Sequence, residues 1–567
     1  MRNKKRSTAL DYHVKNFNKK IKTVVQSVVL FVLAVLVFLA VFDIKKYEEP
    51  DKAQWDNRQG FIAVSYFGVG LSGTPRLIAK NQLRQHLKAL HNQGYRTISQ
   101  QDILNFYNSR QALPEKALFL SFEDGRNDSS LFAQPILEKY NYKATILSYA
   151  NKLGNTRESK FLQPKELLKM IKNGYWELGS NGYRLTYINI FDKNNAFIGV
   201  KDEAEFQDKD SAASYNHYLM DFIRDEDKVP SENRTEMEAR VNGDYAMMRD
   251  IYTQKLGFVP PVYMIMHANS LNDGMPRLVA DVNNRNIQDM FKIHFNRDKN
   301  AFNDSEQNLY DLTRVQAAPY WYTNHLLMKI GKDTGELMKF VVGNRKNAGK
   351  WALMDGAAEF IDNKIVLTSP SSDNGLLYLK DSDAYTDMKL SAKLSGNVVG
   401  KQSVYVRYDT RQDSFLRVSL LNNEIIVEQK TPGNQVETLF SQELNALEGQ
   451  TEEGTYPINI QQTRNLEMVV KGNQFTLRVD KAVWMENSPI ADSLTAGGVA
   501  LESAYSEMNP KDDIYDGVFA DIKIESIDQA GGKEALLYNN GYNAFQWTVS
   551  KVREMINSTI NRAIELF

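Results

Sequence analysis

The 567-residue chain contains no cysteine. That excludes disulfides, thiol nucleophiles, iron–sulfur clusters and cysteine-ligated zinc together. Net charge is also missing: 69 basic residues against 70 acidic ones leave −1, so no global field draws nucleic acid or strongly acidic ligands. Histidine is scarce, with seven in all. Long apolar runs are scarce too. One stretch, residues 23–42 (TVVQSVVLFVLAVLVFLAVF), carries no charge, and no later one is long enough to span a bilayer.

About twenty helical residues rise roughly 30 Å, the thickness of a bilayer's hydrocarbon core. A cleaved signal peptide has a shorter apolar stretch followed by a small-x-small site; here the run continues into Phe42-Asp43-Ile44-Lys45. The reading is therefore an uncleaved anchor. Residues 1–22 hold Arg2, Lys4, Lys5, Arg6, Lys15, Lys19, Lys20 and Lys22 against Asp11 alone. Basic flanks stay cytoplasmic, which makes 1–22 a cytoplasmic tail and places the bulk of the chain outside. A cysteine-free chain outside the cytoplasm points to a bacterium, because secreted eukaryotic proteins often use disulfides.

After a polar linker (43–58), apolar runs at 61–66, 117–122, 144–148 and 176–180 alternate with helical patterns at 79–94, 100–108, 129–140 and 164–173. Short, bounded apolar runs between helices predict buried parallel strands in an α/β layer or barrel, over residues 59–340. The pattern then changes. From 350 to 527, short alternating segments are separated by turn pairs such as Asn422-Asn423, Gly472-Asn473 and Asp480-Lys481, which predicts an antiparallel β-sandwich. Residues 533–567 place Phe545, Val549, Val552, Ile556, Ile560, Ala563 and Phe567 on one stripe of an amphipathic helix. That helix could dock on its own chain, on a partner or on the membrane.

Four stretches within 60–325 resemble the polysaccharide deacetylase (NodB-homology) family, and most of all its poly-N-acetylglucosamine deacetylase branch. They are Val64-Ser65-Tyr66-Phe67, residues 80–99, Ser121-Phe122-Glu123-Asp124-Gly125, and residues 135–145 with Trp176-Glu177-Leu178-Gly179-Ser180-Asn181. The resemblance implies a distorted (β/α) barrel. It also implies a divalent metal held by one Asp and two His four residues apart, with a second carboxylate as base on the metal-bound water. Carried over, Asp124 takes the metal-binding position and Glu123 that of the base, one methylene longer than the usual Asp. The two His positions fall on Asn181 and Leu185, and Phe67 stands where a His is often found. No two of the seven histidines have four-residue spacing. The expectation is therefore no metal and no other cofactor, with Glu123 and Asp124 either a residual or rebuilt catalytic pair or an acid pair kept for the fold. Asn181 is a candidate binding residue.

The sandwich resembles concanavalin-type and laminin-G-like domains in strand pattern. Strict alternation along 405–408 would put Tyr405 and Arg407 on one face, where they are either a sugar platform or a cross-strand pair. Trp351 and Trp484 are further candidates, with core or edge roles as the alternative. Aromatics make up 11% of the chain, which suits sugar surfaces and ordinary cores alike. Three functions stand open: a non-catalytic or altered deacetylase-like protein, a pseudoenzyme, of a bacterial exopolysaccharide or biofilm system, binding or processing a secreted amino-sugar polymer beside a membrane synthase; an active hydrolase using Glu123 and Asp124; and a structural cell-envelope protein making only protein contacts.

Overall fold

The computed structural model describes residues 19–28, 30–31, 45–155, 157–206, 209, 212–265, 271, 274–444, 460–527, 535–542, 548–549, 551–552 and 555–556. Most of the apolar run and nearly all of the expected C-terminal helix lie outside these. Residues 19–28 and 30–31 are helical, and no helix among the described residues is long and apolar enough to cross a membrane.

Seven strands close into an all-parallel barrel: β1 (Gly60–Tyr66), β2 (Ala117–Phe122), β3 (Ala144–Tyr149), β4 (Trp176–Gly182), β5 (Val262–Met264), β6 (Ile293–Asp298) and β7 (Leu312–Gln316). Hydrogen bonding runs β1-β7-β6-β5-β4-β3-β2 and back to β1. Strands β1, β2 and β3 are buried along their whole length. A strand covered by helices outside and side chains inside has no wet face, so its sequence is an unbroken apolar run.

Around the barrel lie α1 (Lys80–Asn92), α2 (Gln100–Ser109), α3 (Asn127–Tyr140), α4 (Pro164–Met170), α5 (Arg234–Leu256), α6 (Arg277–Met290) and α7 (Thr323–Thr334). Helix α2 starts in a capping box in which Ser99 and Asp102 satisfy each other's backbone amides. Helix α4 is shorter than its sequence pattern. It tightens into a 3₁₀ turn over Ile171–Asn173 and stops at Gly174, with φ 83°. Between β4 and β5 the chain builds a small antiparallel sheet from Thr186–Asp192, Phe197–Asp202 and Ala212–His217.

Residues 45–52 are fastened to the barrel end where the strands begin. Tyr47 N–H donates to Asn173 O at 2.8 Å, Asn141 Nδ2 donates to Glu48 O at 2.7 Å, and Lys143 pairs with Glu49 at 2.7 Å. The Lys143 ammonium also lies 4.3 Å from the Tyr47 ring centre.

The second half of the chain forms two antiparallel sheets of seven and eight strands around one apolar core that includes Trp351, Val404, Leu416, Met468 and Phe519. Asn422 and Asn423 have φ 48° and 66°, and Asp480 and Lys481 have 49° and 74°. Paired left-handed residues match the right-handed twist of the hairpins they close.

Candidate functional site

The site lies at the opposite end of the barrel, where the strands finish. After β2 the chain turns sharply through Glu123, Asp124 and Gly125, and the last two have φ 69° and 60°. Aspartate tolerates the left-handed region better than most residues. Space is tight at Gly125 as well, since a Cβ there would lie 3.1 Å from Ser148 Cβ and 3.2 Å from Leu147 O. The turn is pinned by Glu123 N–H to Tyr66 O at 2.9 Å, by Leu162 N–H to Gly125 O at 2.9 Å, and by Asp124 N–H to Asn181 Oδ1 at 3.0 Å.

Both carboxylates are buried, Glu123 at 7% and Asp124 at 8% exposure. Their surroundings differ. Glu123 Oε1 accepts from Ser65 Oγ at 2.8 Å and from Arg314 Nε at 3.0 Å. Burial disfavours the Arg314 charge, but Glu123 and Asp298 more than offset it and the guanidinium is held above its ordinary pKa. Among the described residues Asp124 has no such partner close by; Arg126 Nη1 lies 4.0 Å away. Burial pushes its carboxyl up to about 7, with Arg126 opposing and Glu203 adding to the rise. A carboxyl that titrates near neutrality beside one locked in an ion pair is an arrangement able to exchange a proton. Tyr149, next to both, is held well above its usual pKa, chiefly by burial, and so stays protonated.

The residues present do not fit the three-ligand metal centre that the family pattern calls for. Asn181 is 3% exposed and both ends of its amide are in use: Oδ1 holds the Asp124 amide and Nδ2 donates to Met264 O at 3.4 Å. It works as a staple between two strand ends. Leu185 packs with Tyr149, Tyr187, Ile190 and Phe206 in a small apolar cluster. One carboxylate, one committed amide and one hydrocarbon side chain cannot make an Asp-His-His set. Among the described residues no three His, Asp or Glu side chains are grouped to hold a metal ion. His86 bonds Tyr66 and Trp321 O, His217 bonds Arg184 O, His294 bonds Tyr310 O, and His325 lies between Asp512 and Asp516. His267 lies outside the described residues.

In the sandwich the structure separates Tyr405 from Arg407, which corrects the shared face expected from alternation. Arg407 has φ 50°, and the register of its strand with both neighbours slips between residues 405 and 409. The bulge turns Arg407 inward, to 2% exposure. There it pairs with Asp387 at 3.0 Å and donates to the carbonyls of Thr386, Gly472 and Leu494. Tyr405 stays on the sheet's other side with Tyr378 and Phe415, donating to Glu502 Oε2 at 2.9 Å and accepting from Arg417 Nη1 at 2.7 Å. The guanidinium beside Tyr405 is therefore that of Arg417. Trp351 is a core residue bonded to the Tyr538 hydroxyl at 2.9 Å, and Trp484 packs edge-on to Phe440 near the sheet margin.

Sequence reasoning missed Arg314, Ser65 and Tyr149. Arg314 left a trace: a cation inside Leu312–Gln316, a strand whose first four residues are buried, needs a buried anion.

No family model matches the chain. Over 122 residues it is 30% identical to YxkH of Bacillus subtilis (strain 168), described as a polysaccharide deacetylase; the match covers 21% of this chain and 44% of that protein. The chain thus spans less than half the length of this curated relative. Among solved structures, a de-N-acetylase from Aggregatibacter actinomycetemcomitans is similar at 19% identity over 46% of this chain and 96% of that one, with a TM-score of 0.36. The carbohydrate-binding module CBM66 from Bacillus subtilis is similar at 13% identity over 31% of this chain and 96% of that one, with a TM-score of 0.24. The chain carries polysaccharide deacetylase homology, in a protein built of a parallel barrel and separate antiparallel sheets.

Proposed function

We propose that this chain is a membrane-anchored pseudoenzyme of bacterial exopolysaccharide biosynthesis, which holds a secreted amino-sugar polymer on a deacetylase-type barrel without the family's metal chemistry. The observation that carries the reading is Asn181: at a ligand position it is an amide spent on backbone bonds at both ends, four residues from a buried leucine. The deacetylase homology supports a polysaccharide as the ligand. The apolar run at 23–42 and its basic flank support the anchor. Residues 47–49 grip the strand-start end of the barrel, so with the anchor in a bilayer the site at the other end faces away from it, toward emerging polymer. A membrane synthase is the natural partner in that geometry.

Three measurements on the full-length protein test this. A reporter fused after Phe567 should be active only outside the cytoplasm, and cytoplasmic activity would overturn the topology. The protein should retain an N-acetylated amino-sugar polymer in a pull-down and carry no stoichiometric zinc, cobalt or nickel. One tightly bound ion per chain, lost in Asp124→Ala, would overturn the loss of the metal site.

A second reading is favoured by Asp124. Burial raises its carboxyl to about 7 beside the paired Glu123, which leaves a carboxyl able to act as acid or base in a hydrolase rebuilt without the family's metal set. Release of acetate by the wild type, abolished in Asp124→Asn, would establish it.

A further inference from the structure

The barrel and the sandwich meet along a cleft whose enclosed part, about 40 Å³, has room for two or three water-sized groups. Tyr320 and Tyr322, both half-buried, form its barrel wall. Asn397, Gln461 and Val518 line the sandwich side, and Asp512 forms the floor. The loop carrying the two tyrosines starts at the candidate site: Ala317 N–H donates to Ser65 O at 2.9 Å, and Ser65 Oγ holds Glu123. The loop that forms the cleft's barrel wall therefore leaves the barrel at the strand-finish end, where Glu123 and Asp124 lie.

Its floor is rigid. His325 lies 3.0 Å from both Asp512 and Asp516, the Trp321 ring stacks on it with centres 4.4 Å apart, and Trp321 Nε1 donates to Asp512 at 2.7 Å. A site held this way is formed before any ligand arrives, so binding loses little free energy to ordering.

We propose that this seam is a saccharide subsite that takes the acetamido arm of an N-acetylated amino sugar, with the pyranose ring lying across the two tyrosines. This rests on the reading above that the chain holds an amino-sugar polymer. An acetamido group has one N–H donor, one carbonyl acceptor and one methyl. The cleft offers a matching set: the Asn397 side-chain Oδ1, buried and without a partner among the described residues, as the acceptor, with Asp512, already bonded by Trp321 and by Ile514 N–H, adding only its remaining lone pairs; the tyrosine hydroxyls and the Gln461 amide as donors; and Val518 as an apolar wall. Burial holds the hydroxyls of Tyr320 and Tyr322 above their usual pKa, so both remain donors at neutral pH. A ring bearing only hydroxyls would leave the apolar wall and part of the polar set unmatched, the mismatch that polar sites reject most strongly.

The test is saturation-transfer NMR and calorimetry on the full-length protein in detergent. The probes are an N-acetylglucosamine hexamer, its de-N-acetylated counterpart and a glucose hexamer. The wild type should bind the acetylated hexamer best, with the acetamido methyl protons most strongly saturated. Tyr320→Phe and Gln461→Ala, both with wild-type near-UV circular dichroism, should weaken that binding about tenfold, as loss of a hydrogen bond inside a desolvated site does. Equal binding of the three hexamers overturns the acetamido assignment. Wild-type affinity in both variants overturns the seam as the site while leaving polymer binding intact. If the wild type binds no hexamer and retains no polymer, the reading it rests on fails with it.

Discussion

Replacing His325 with glutamine probes the contact that locks the two domains together. Burial disfavours charge on the imidazole, but Asp512 and Asp516 outweigh it and hold its pKa up at about 10, against 6.5 for the free side chain. At 1.36 kcal/mol for each tenfold step in proton affinity, that gap corresponds to roughly 5 kcal/mol. Because the folded value lies above the unfolded one, the contribution is complete below about pH 6.5 and is lost as pH rises through 10. The other groups facing His325 leave the upper half of that window clear. Burial keeps His86 neutral, with a pKa of about 4; burial raises Glu359 to about 7, with Asp516 adding to the rise; and the Lys332–Asp513 pair is common to both proteins. The wild type should therefore lose about 1.3 kcal/mol more than His325→Gln from pH 8 to 9 and about 1 kcal/mol more from pH 9 to 10, the slope falling as the folded imidazole itself titrates, read as the first transition in urea unfolding at pH 8, 9 and 10. Parallel pH dependences in the two proteins would refute the clamp.

Arg314→Met leaves buried Glu123 without its charged partner, though still bonded to Ser65, and should cost about 3–5 kcal/mol of stability. Adding Glu123→Gln should restore most of that in urea titrations, and no recovery would deny the pair its role. The double variant Asn181→His/Leu185→His puts imidazoles at both family positions beside Asp124. It should gain stoichiometric zinc by elemental analysis and lose thermal stability, because the amide staple is gone; failure to gain metal would mean that side-chain identity at these positions is not what excludes it. The Asp124 carboxyl should titrate near pH 7 by carbon-13 NMR. Its folded pKa exceeds the 3.8 of the free side chain, so its ionisation destabilises the fold increasingly from about pH 4 to 7. The stability advantage of Asp124→Asn should grow across that window and stay level above it; a midpoint near 4 would contradict the burial argument.

The barrel strands could be read in the chain because burial on both faces leaves a strand no reason to alternate, so β1, β2 and β3 stand out as apolar runs between helices. The sandwich hairpins were visible in Asn422-Asn423 and Asp480-Lys481, pairs suited to left-handed backbone. Glu123, Asp124 and Asn181 could be found from the strand-end motifs they belong to. What could not be read was long-range pairing: Arg314 is 191 residues from Glu123, and nothing local ties them. The inward turn of Arg407 was hidden because a bulge with a non-glycine residue at positive φ leaves no mark in the alternation it interrupts. The sheet over residues 186–217 mixes polar and apolar positions without a clear period, since one of its strands, Phe197–Asp202, is largely exposed.

The most direct test of the central claim is proton NMR on the full-length protein mixed with an N-acetylated amino-sugar polymer, following bound polymer and free acetate in the same sample. Broadened, retained polymer signals and no acetate above the protein-free control are expected, with or without added zinc. Acetate appearing in proportion to wild-type protein would contradict that claim.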